Sequence, residues 1–585
     1  MTRKRFLLIV LPFLFFSGLT SGWEQKELRD LVDAFPAYEG TRYDDVVPAT
    51  LDFAEMAELS LAGMTRPLDE ARDYTLYFLT VWNRNPAVLR HEEGSDACQA
   101  KFTGPLVLNR ILCGSEYNLE IEKKVLTRYL ADLESEVFNS SGSSTRILEG
   151  FIMHYLRDGN PLWKSLVTET VNRWIQSLES TPDGNGCWKV DDKKASSFWA
   201  QDPWKDEILL LADRFFHNKE AFETAGKHLR YVRHESGLFD RRGRFFDDHG
   251  RHFHIHALYL LTFLDYALQH EDKDIQADWI RFVKRSYEWA KSKDAGSSSL
   301  IGFFPEFVHS PQSEGCCIAD MVALALKLSK ADAGAYWDDA DRWIRNHFTE
   351  IQLTRAKGIE LEAWSRSFDK TETVEPNESD VDVSERCVGA FSGWPGVNEW
   401  VHPAKRGIQH CCTGNACRTL FYVWDGIMDY ADNALNVNLM LNRASKEADI
   451  YSYLPYSGRL VVKVKEPCET VRIRIQDWIS RKALQGCVNG LKRPLKWDGS
   501  FLTFDKIKQG DLVELTFPVD ERTQEERIGD TKYRFVLRGS TVVEVQPKGS
   551  ICPLYDRGFY RKDTAPTKKV RRFISPESCL LEMAH

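Results

Sequence analysis

After its first 22 residues the 585-residue chain has no apolar run approaching the ~20 residues a membrane-spanning helix needs. It has no excess of positive charge: 77 Lys and Arg stand against 86 Asp and Glu, a net of −9, which gives no support to a nucleic-acid partner. Gly-x-Gly-x-x-Gly, the P-loop, His-Glu-x-x-His and Gly-x-Ser-x-Gly are all absent, which argues against nucleotide-dependent, zincin and α/β-hydrolase chemistry. No motif recurs at a fixed short period, so a regular solenoid is excluded. The Cys-x-x-Cys pairs common in zinc sites are missing too. The chain is nevertheless longer than the ~250–300 residues at which one core stops growing, so at least two domains are expected. Hydrophobic residues at 43% and charged residues at 28% are those of a globular protein, not a disordered or fibrous one.

What is present points outward from the cell and toward sugars. Arg3, Lys4 and Arg5 precede the apolar run Phe6 to Phe16, and Ser17, Gly18, Ser21 and Gly22 supply small residues for cleavage. Residues 1–22 read as a secretory signal peptide, and the mature chain is expected to be secreted or periplasmic. Aromatic residues make up 12% of the chain, and aromatic faces cover the apolar faces of sugar rings. The 13 cysteines are odd in number, and Cys316-Cys317 and Cys411-Cys412 are adjacent pairs, with Cys417 close behind. Neighbouring cysteines do not readily bridge each other, so the doublets need another explanation than a disulfide framework; Cys98/Cys113 and Cys468/Cys487 remain open as bridges.

Periodicity divides the chain. Residues 23–435 are dominantly helical: in the segment from Ile121, the side chains of Leu126, Tyr129, Leu130, Leu133 and Val137 form one stripe. Residues 436–585 change to a period of two, in short β-branched and aromatic runs such as Leu460–Val464 and Leu512–Phe517, with turn signals such as Asn489-Gly490 and Asp498-Gly499 between them. The expected architecture is a large all-α domain followed by an all-β sandwich.

Two stretches carry the chemistry. One is Glu306-Phe-Val-His309-Ser-Pro-Gln-Ser-Glu314-Gly-Cys316-Cys317-Ile-Ala-Asp320, and the other is His410-Cys411-Cys412-Thr-Gly-Asn415-Ala-Cys417-Arg418. Each puts thiols or carboxylates at a helix start, where free N–H groups and the dipole favour thiolates. Glu314, Cys316, Cys411 and Cys412 offer one carboxylate and three thiolates, a set that suits Zn2+. The plain reading is that these are small buried cysteines packing helices together. His410 and Trp394 lie near the second stretch and are candidates to line a pocket, though Trp394 could equally anchor a loop. Glu385-Arg386-Cys387 repeats the Glu-x-Cys spacing without a following apolar helix and reads as a decoy. Asp183-Gly-Asn185-Gly lacks the later Glu of a calcium loop and reads as a turn.

On the Ser313-Glu314-Gly315-Cys316 turn, the Cys411-Cys412-x-x-Asn415-x-x-Arg418 element and the phrases Val488-Asn489-Gly490, Gly510-Asp511 and Leu537-Arg538-Gly539, the chain resembles the β-L-arabinofuranosidases of glycoside hydrolase family 127. The resemblance runs from about His252 to Pro547, and more loosely over the helical N-terminal half. It implies an (α/α)6 barrel followed by a β-sandwich, and zinc held by Glu314, Cys316, Cys411 and Cys412, with Cys411 as the nucleophile. It also implies a substrate-contacting histidine near a helix start, which His254 or His256 in the run Arg-His252-Phe-His254-Ile-His256 would supply. The family's acid/base glutamate precedes Glu-x-Cys across a longer loop; here the nearest upstream carboxylate is Glu306, eight residues before Glu314. Phe303, Phe304, Pro305 and Phe307 around it would raise a buried carboxyl's pKa and suit an acid. The altered loop leaves the sugar open. The expectation is a secreted, zinc-dependent, retaining glycoside hydrolase acting on arabinofuranosyl or related residues of oligo- or polysaccharides. The alternatives are a carboxylate-dependent glycosidase or lyase on the same barrel, with zinc structural, and a non-catalytic glycan-binding protein.

Overall fold

The structure is a computed structural model that describes residues 25–92, 95–131, 133, 142–177, 203–246, 252–370 and 373–576. The expected signal peptide and the Asp183 turn lie outside the described residues. Among the described residues no helix is long and apolar enough to cross a membrane.

Six helices form a closed ring. Thr103–Cys113 packs on Gly142–Asp158, which packs on Pro203–Phe216, then Phe253–Gln269, then Gly315–Lys330, then His410–Gly426, and the last returns to the first. Between them in the sequence run outer helices: Leu119–Ala131, Pro161–Ser177, Lys219–His234, Lys273–Ala290 and Trp337–Trp343. Phe53–Thr65 packs on the ring where it closes. This inner–outer alternation is an α/α barrel, as expected. The two sets differ as their surroundings demand. Gly315–Lys330 buries nearly every residue, whereas Lys273–Ala290 buries one stripe that includes Trp279, Phe282, Val283 and Tyr287. A helix walled on all sides must be apolar all round, while an outer helix needs only one apolar face.

The C-terminal part is all β. One sheet has the strand order Arg443–Ala444, Ala448–Ser452, Gly458–Val464, Leu512–Phe517, Gln485–Val488, Leu491–Lys492. A second runs Lys496–Asp498, Phe501–Asp505, Thr470–Arg474, Ala434–Val437, Met428–Ala431, and a third joins Glu521–Ile528, Thr531–Arg538 and Thr541–Gln546. Leu460, Val462, Val513 and Leu515 of the first sheet and Val471, Ile473, Leu502 and Phe504 of the second share one core with the barrel. The alternation read in the sequence is what buries one face of each sheet. A further pairing had no local signal: Thr41–Pro48, before the barrel, pairs antiparallel with Thr567–Ile574 near the end of the chain. All eleven cysteines in the described residues are free thiols, so neither Cys98/Cys113 nor Cys468/Cys487 is bridged.

Candidate metal and active site

The two chemistry-bearing stretches meet because the Gly315 and His410 helices are neighbours in the ring. A short sheet aims the second: Gly407–Gln409 pairs with Leu79–Val81, and the N–H of His410 donates to the Phe78 carbonyl at 2.9 Å. On the other side, Glu314 takes an extended conformation at the N-cap of the Gly315 helix, and the Gly315 N–H donates to the Gly393 carbonyl. The glycine between Glu314 and Cys316 is required. A Cβ there would lie 2.4 Å from the Ser392 carbonyl oxygen and 2.9 Å from Cys412 Cβ. A side chain at Gly414 would meet Lys101 Cβ at 2.9 Å, so this helix also needs a bare backbone where the chain around Lys101 crosses it.

Glu314, Cys316, Cys411 and Cys412 are all buried, and their ligand atoms lie within 4.8 Å of one another. Cys411 Sγ is 3.9 Å from Cys412 Sγ, and Cys412 Sγ is 3.7 Å from Glu314 Oε1. Tetrahedral zinc with Zn–S of about 2.3 Å sets neighbouring sulfurs about 3.8 Å apart, so the group fits such an ion with only small closure. All four come from the first turns of two helices, whose positive ends face the same point. Burial pushes the Glu314 carboxyl up, but His252, whose Nε2 lies 2.9 Å from Glu314 Oε2, more than reverses this and holds it at about 2. Burial also pushes Cys316 up, but the Cys411 and Cys412 thiols and the Lys101 cation bring it down to about 6. Cys412 moves the other way, well up, through burial and its thiol neighbours. The cluster is therefore built to carry negative charge beside protonated thiols, and it can hold a metal ion. Cys317, the second member of the first doublet, turns to Glu314 Oε2 at 3.5 Å and holds its proton under burial.

The structure treats the other expected site residues unequally. His254 stands on the first turn of the Phe253 helix, its Nδ1 2.6 Å from Asp320 Oδ2. His256 faces the core: its nitrogens lie 2.7 and 2.9 Å from the His252 and Leu238 carbonyl oxygens, and its ring stacks on Phe245. That leaves it no nitrogen for a sugar. His410 is fully buried behind the doublet, near the hydroxyls of Thr80 and Thr413, and burial pushes it down to about 3. It is a neutral core group and not part of a pocket wall. Trp394 donates from Nε1 to Glu306 Oε1 at 2.9 Å.

Glu306 does not have the apolar surroundings its neighbours suggested. Besides Trp394, Gln312 and Lys405 donate to its Oε2 at 2.5 and 2.9 Å. Three N–H donors, one of them a cation, thus occupy both of its oxygens. The phenylalanines instead turn elsewhere, Phe304 onto Phe253 and Trp343. Sequence reasoning missed the roles of His252, Lys101 and Cys98. The first stood in the His-x-His-x-His run, at the N-cap of an inner helix; Lys101 and Cys98 carried no motif signal. The Cys98 thiol bonds to Cys411, which together with burial pushes it well up.

No protein-family model matches the sequence, and no curated protein matches it. Solved structures do resemble it in fold. A GH127 β-arabinofuranosidase superposes with a TM-score of 0.56 at 13% identity, covering 85% of each chain. The chain has the fold of that enzyme. A GH127 β-L-arabinofuranosidase from Geobacillus stearothermophilus T6 gives 0.51 at 12% identity over 88% of this chain and 84% of that one. A structure described as a glycoside hydrolase gives 0.55 at 10% identity over 86% and 83%. The likeness extends over barrel and sandwich together.

Proposed function

We propose that the protein is a zinc-dependent glycoside hydrolase that retains configuration, uses Cys411 as nucleophile and acts on β-L-arabinofuranosyl or related residues of glycans outside the cytoplasm. The observation that carries this reading is the meeting of Glu314, Cys316, Cys411 and Cys412 within 4.8 Å at two adjoining helix starts of a barrel shared in fold with such enzymes. The basic and apolar N-terminal segment supports export.

The four would hold zinc, with His252 orienting Glu314 by the bond to its second oxygen. Bound there, zinc supplies the charge that keeps the cysteines as thiolates at neutral pH. Cys411 is 8% exposed whereas Cys316 and Cys412 are wholly covered, so it is the sulfur a substrate can reach. Its attack on the anomeric carbon forms a C–S bond as the C–O bond to the aglycone breaks. Water then displaces the sulfur from the opposite face, and the two inversions restore the configuration.

Release of nitrophenolate from 4-nitrophenyl β-L-arabinofuranoside, with the anomer of the first-formed sugar read by NMR, tests the proposal. Retention is expected, with turnover abolished by a strong chelator and by iodoacetamide. Turnover indifferent to both reagents would overturn it.

A further inference from the structure

Cys98 takes no part in the hydrolysis proposed above, yet its thiol stands against the nucleophile. It sits on the short helix Ser95–Ala100, which packs on the His410 helix. Gln99 fixes that helix from behind: its Nε2 donates to the Tyr74 carbonyl at 2.7 Å, and its Oε1 accepts from the Leu76 N–H at 3.1 Å and from Arg128 Nη2 at 2.8 Å. Lys101 fixes it from the front. Its N–H donates to the Cys98 carbonyl at 3.2 Å, and its Cβ would lie 2.9 Å from a Cβ placed on Gly414. Gly414 is three residues after Cys411, as Lys101 is three after Cys98, and residues three apart share a helix face. The two turns therefore run in register, Lys101 over Gly414 and Cys98 over Cys411. The Cys98 side chain accordingly packs on the cluster of Cys316, Cys411 and Cys412.

The thiols of this neighbourhood differ in exposure. Cys316, Cys317, Cys411 and Cys412 are buried, whereas Cys98 is half-buried. A reagent arriving from solvent meets Cys98 first and then Cys411, which keeps 8% of its surface while Cys316 and Cys412 keep none. Cys113, the partner that spacing offered for Cys98, stands at the far end of the Thr103–Cys113 helix, about 15 Å along it.

We propose that Cys98 and Cys411 form a reversible disulfide that closes the nucleophile under oxidising conditions. The oxidant is a small disulfide of the glutathione type. The Cys98 sulfur gives up its proton and attacks one sulfur of the reagent, whose S–S bond breaks to leave a mixed disulfide and one free thiol. The Cys411 sulfur then gives up its proton and attacks the Cys98 sulfur, forming the Cys98–Cys411 bond and releasing the second thiol. The two cysteines lose two electrons and two protons, and the reagent gains both as two thiols. The bridge takes from the cluster its nucleophile and one of its ligands, leaving Glu314, Cys316 and Cys412. Its formation rests on the packing of Cys98 against Cys411, and only its effect on turnover rests on the glycosidase reading.

The test holds the zinc-loaded full chain at a series of oxidised-to-reduced glutathione ratios, blocks the remaining thiols with iodoacetamide and maps the unreduced peptides, with the joined sulfurs assigned by fragmentation. A peptide pair joined through Cys98 and Cys411 is expected, together with the loss of two thiols per chain and the release of zinc. Turnover of 4-nitrophenyl β-L-arabinofuranoside is expected to fall about 10-fold or more and to return with dithiothreitol and added zinc. Cys98→Ala, measured against its own reduced activity, is expected to lose less than about 2-fold at the same ratios. A bridge from Cys411 to Cys412 or Cys316, glutathione left on Cys98 as the end product, or thiols that do not change would overturn the proposal. So would a C98A variant inactivated in step with the wild type. The peptide map of the wild type decides alone if C98A does not fold. A wild type that forms the bridge but cleaves no arabinofuranoside would remove the substrate reading and leave the disulfide standing.

Discussion

Of the four Glu-x-Cys sequences in this chain, those at Glu314 and Glu385 have opposite fates. In the first, Glu314 and Cys316 open a long inner helix and point into a buried cluster with Cys411 and Cys412. In the second, Cys387 ends the five-residue helix Val383–Cys387. Glu385 stays at the surface between Arg66 and Arg355, at 2.7 and 2.8 Å. Cys387 is buried against the Thr80 hydroxyl at 3.2 Å, and burial pushes it up to about 12. The spacing is the same; the middle residue and the place in the helix are not. Gly315 lets the first motif close on Cys412 and the Ser392 backbone, whereas Arg386 ties the second to the Arg66 and Leu68 carbonyls. A metal-ligand pattern thus becomes a site only where the backbone can approach a second set of ligands.

The sharpest break in this comparison is chemical. Cys411→Ala is expected to lower kcat on an aryl arabinofuranoside by about 10³-fold or more and to reduce bound zinc, while Cys387→Ala leaves zinc content unchanged. Metal analysis alongside kinetics decides it, and equal zinc loss in both variants would erase the distinction.

A second test uses pH. His410 lies behind the doublet, linked through Thr80 to Cys387, and like His154 and His347 it is pushed down to about 3 by burial. The unfolded chain takes up protons at these histidines near pH 6.5 while the native state waits until about 3, so stability is full above 6.5 and is lost as pH falls between the two. Each histidine contributes up to about 1.4 kcal/mol per pH unit there, roughly 4 for the three together. Urea midpoints at pH 7.5 and 5.5 are expected to differ in that direction; a flat profile would mean these rings reach solvent.

Gly315→Ala is expected to cost about 1–3 kcal/mol by forcing the two inner helices apart, and to weaken zinc binding with it. Denaturation and zinc titration report the two effects. Least of all, Glu385→Gln removes an exposed ion pair and is expected to change stability by less than about 1 kcal/mol, with zinc content intact.

Much of this organisation was legible from residue patterns. Continuous apolar inner helices, striped outer ones and the later change to a two-residue period follow from what each element must bury. The cluster was legible because four soft ligands at two helix starts are an unusual local signal. The polar surroundings of Glu306 were not legible because its partners are distant: Trp394 and Lys405 arrive from almost a hundred residues away and replace the apolar surroundings its neighbours suggested. His256 and His410 read as site residues only while their burial within inner helices was unknown. The pairing of Thr41–Pro48 with Thr567–Ile574 spans nearly the whole chain and leaves no trace in either strand alone.

The central claim is that one ion is held by a single carboxylate and three sulfurs. A zinc K-edge absorption spectrum of the purified full chain tests it most directly. The expected first shell is three sulfurs at about 2.3 Å and one oxygen at about 2.0–2.2 Å. A shell of nitrogen and oxygen donors alone, or protein that takes up no zinc, would contradict it.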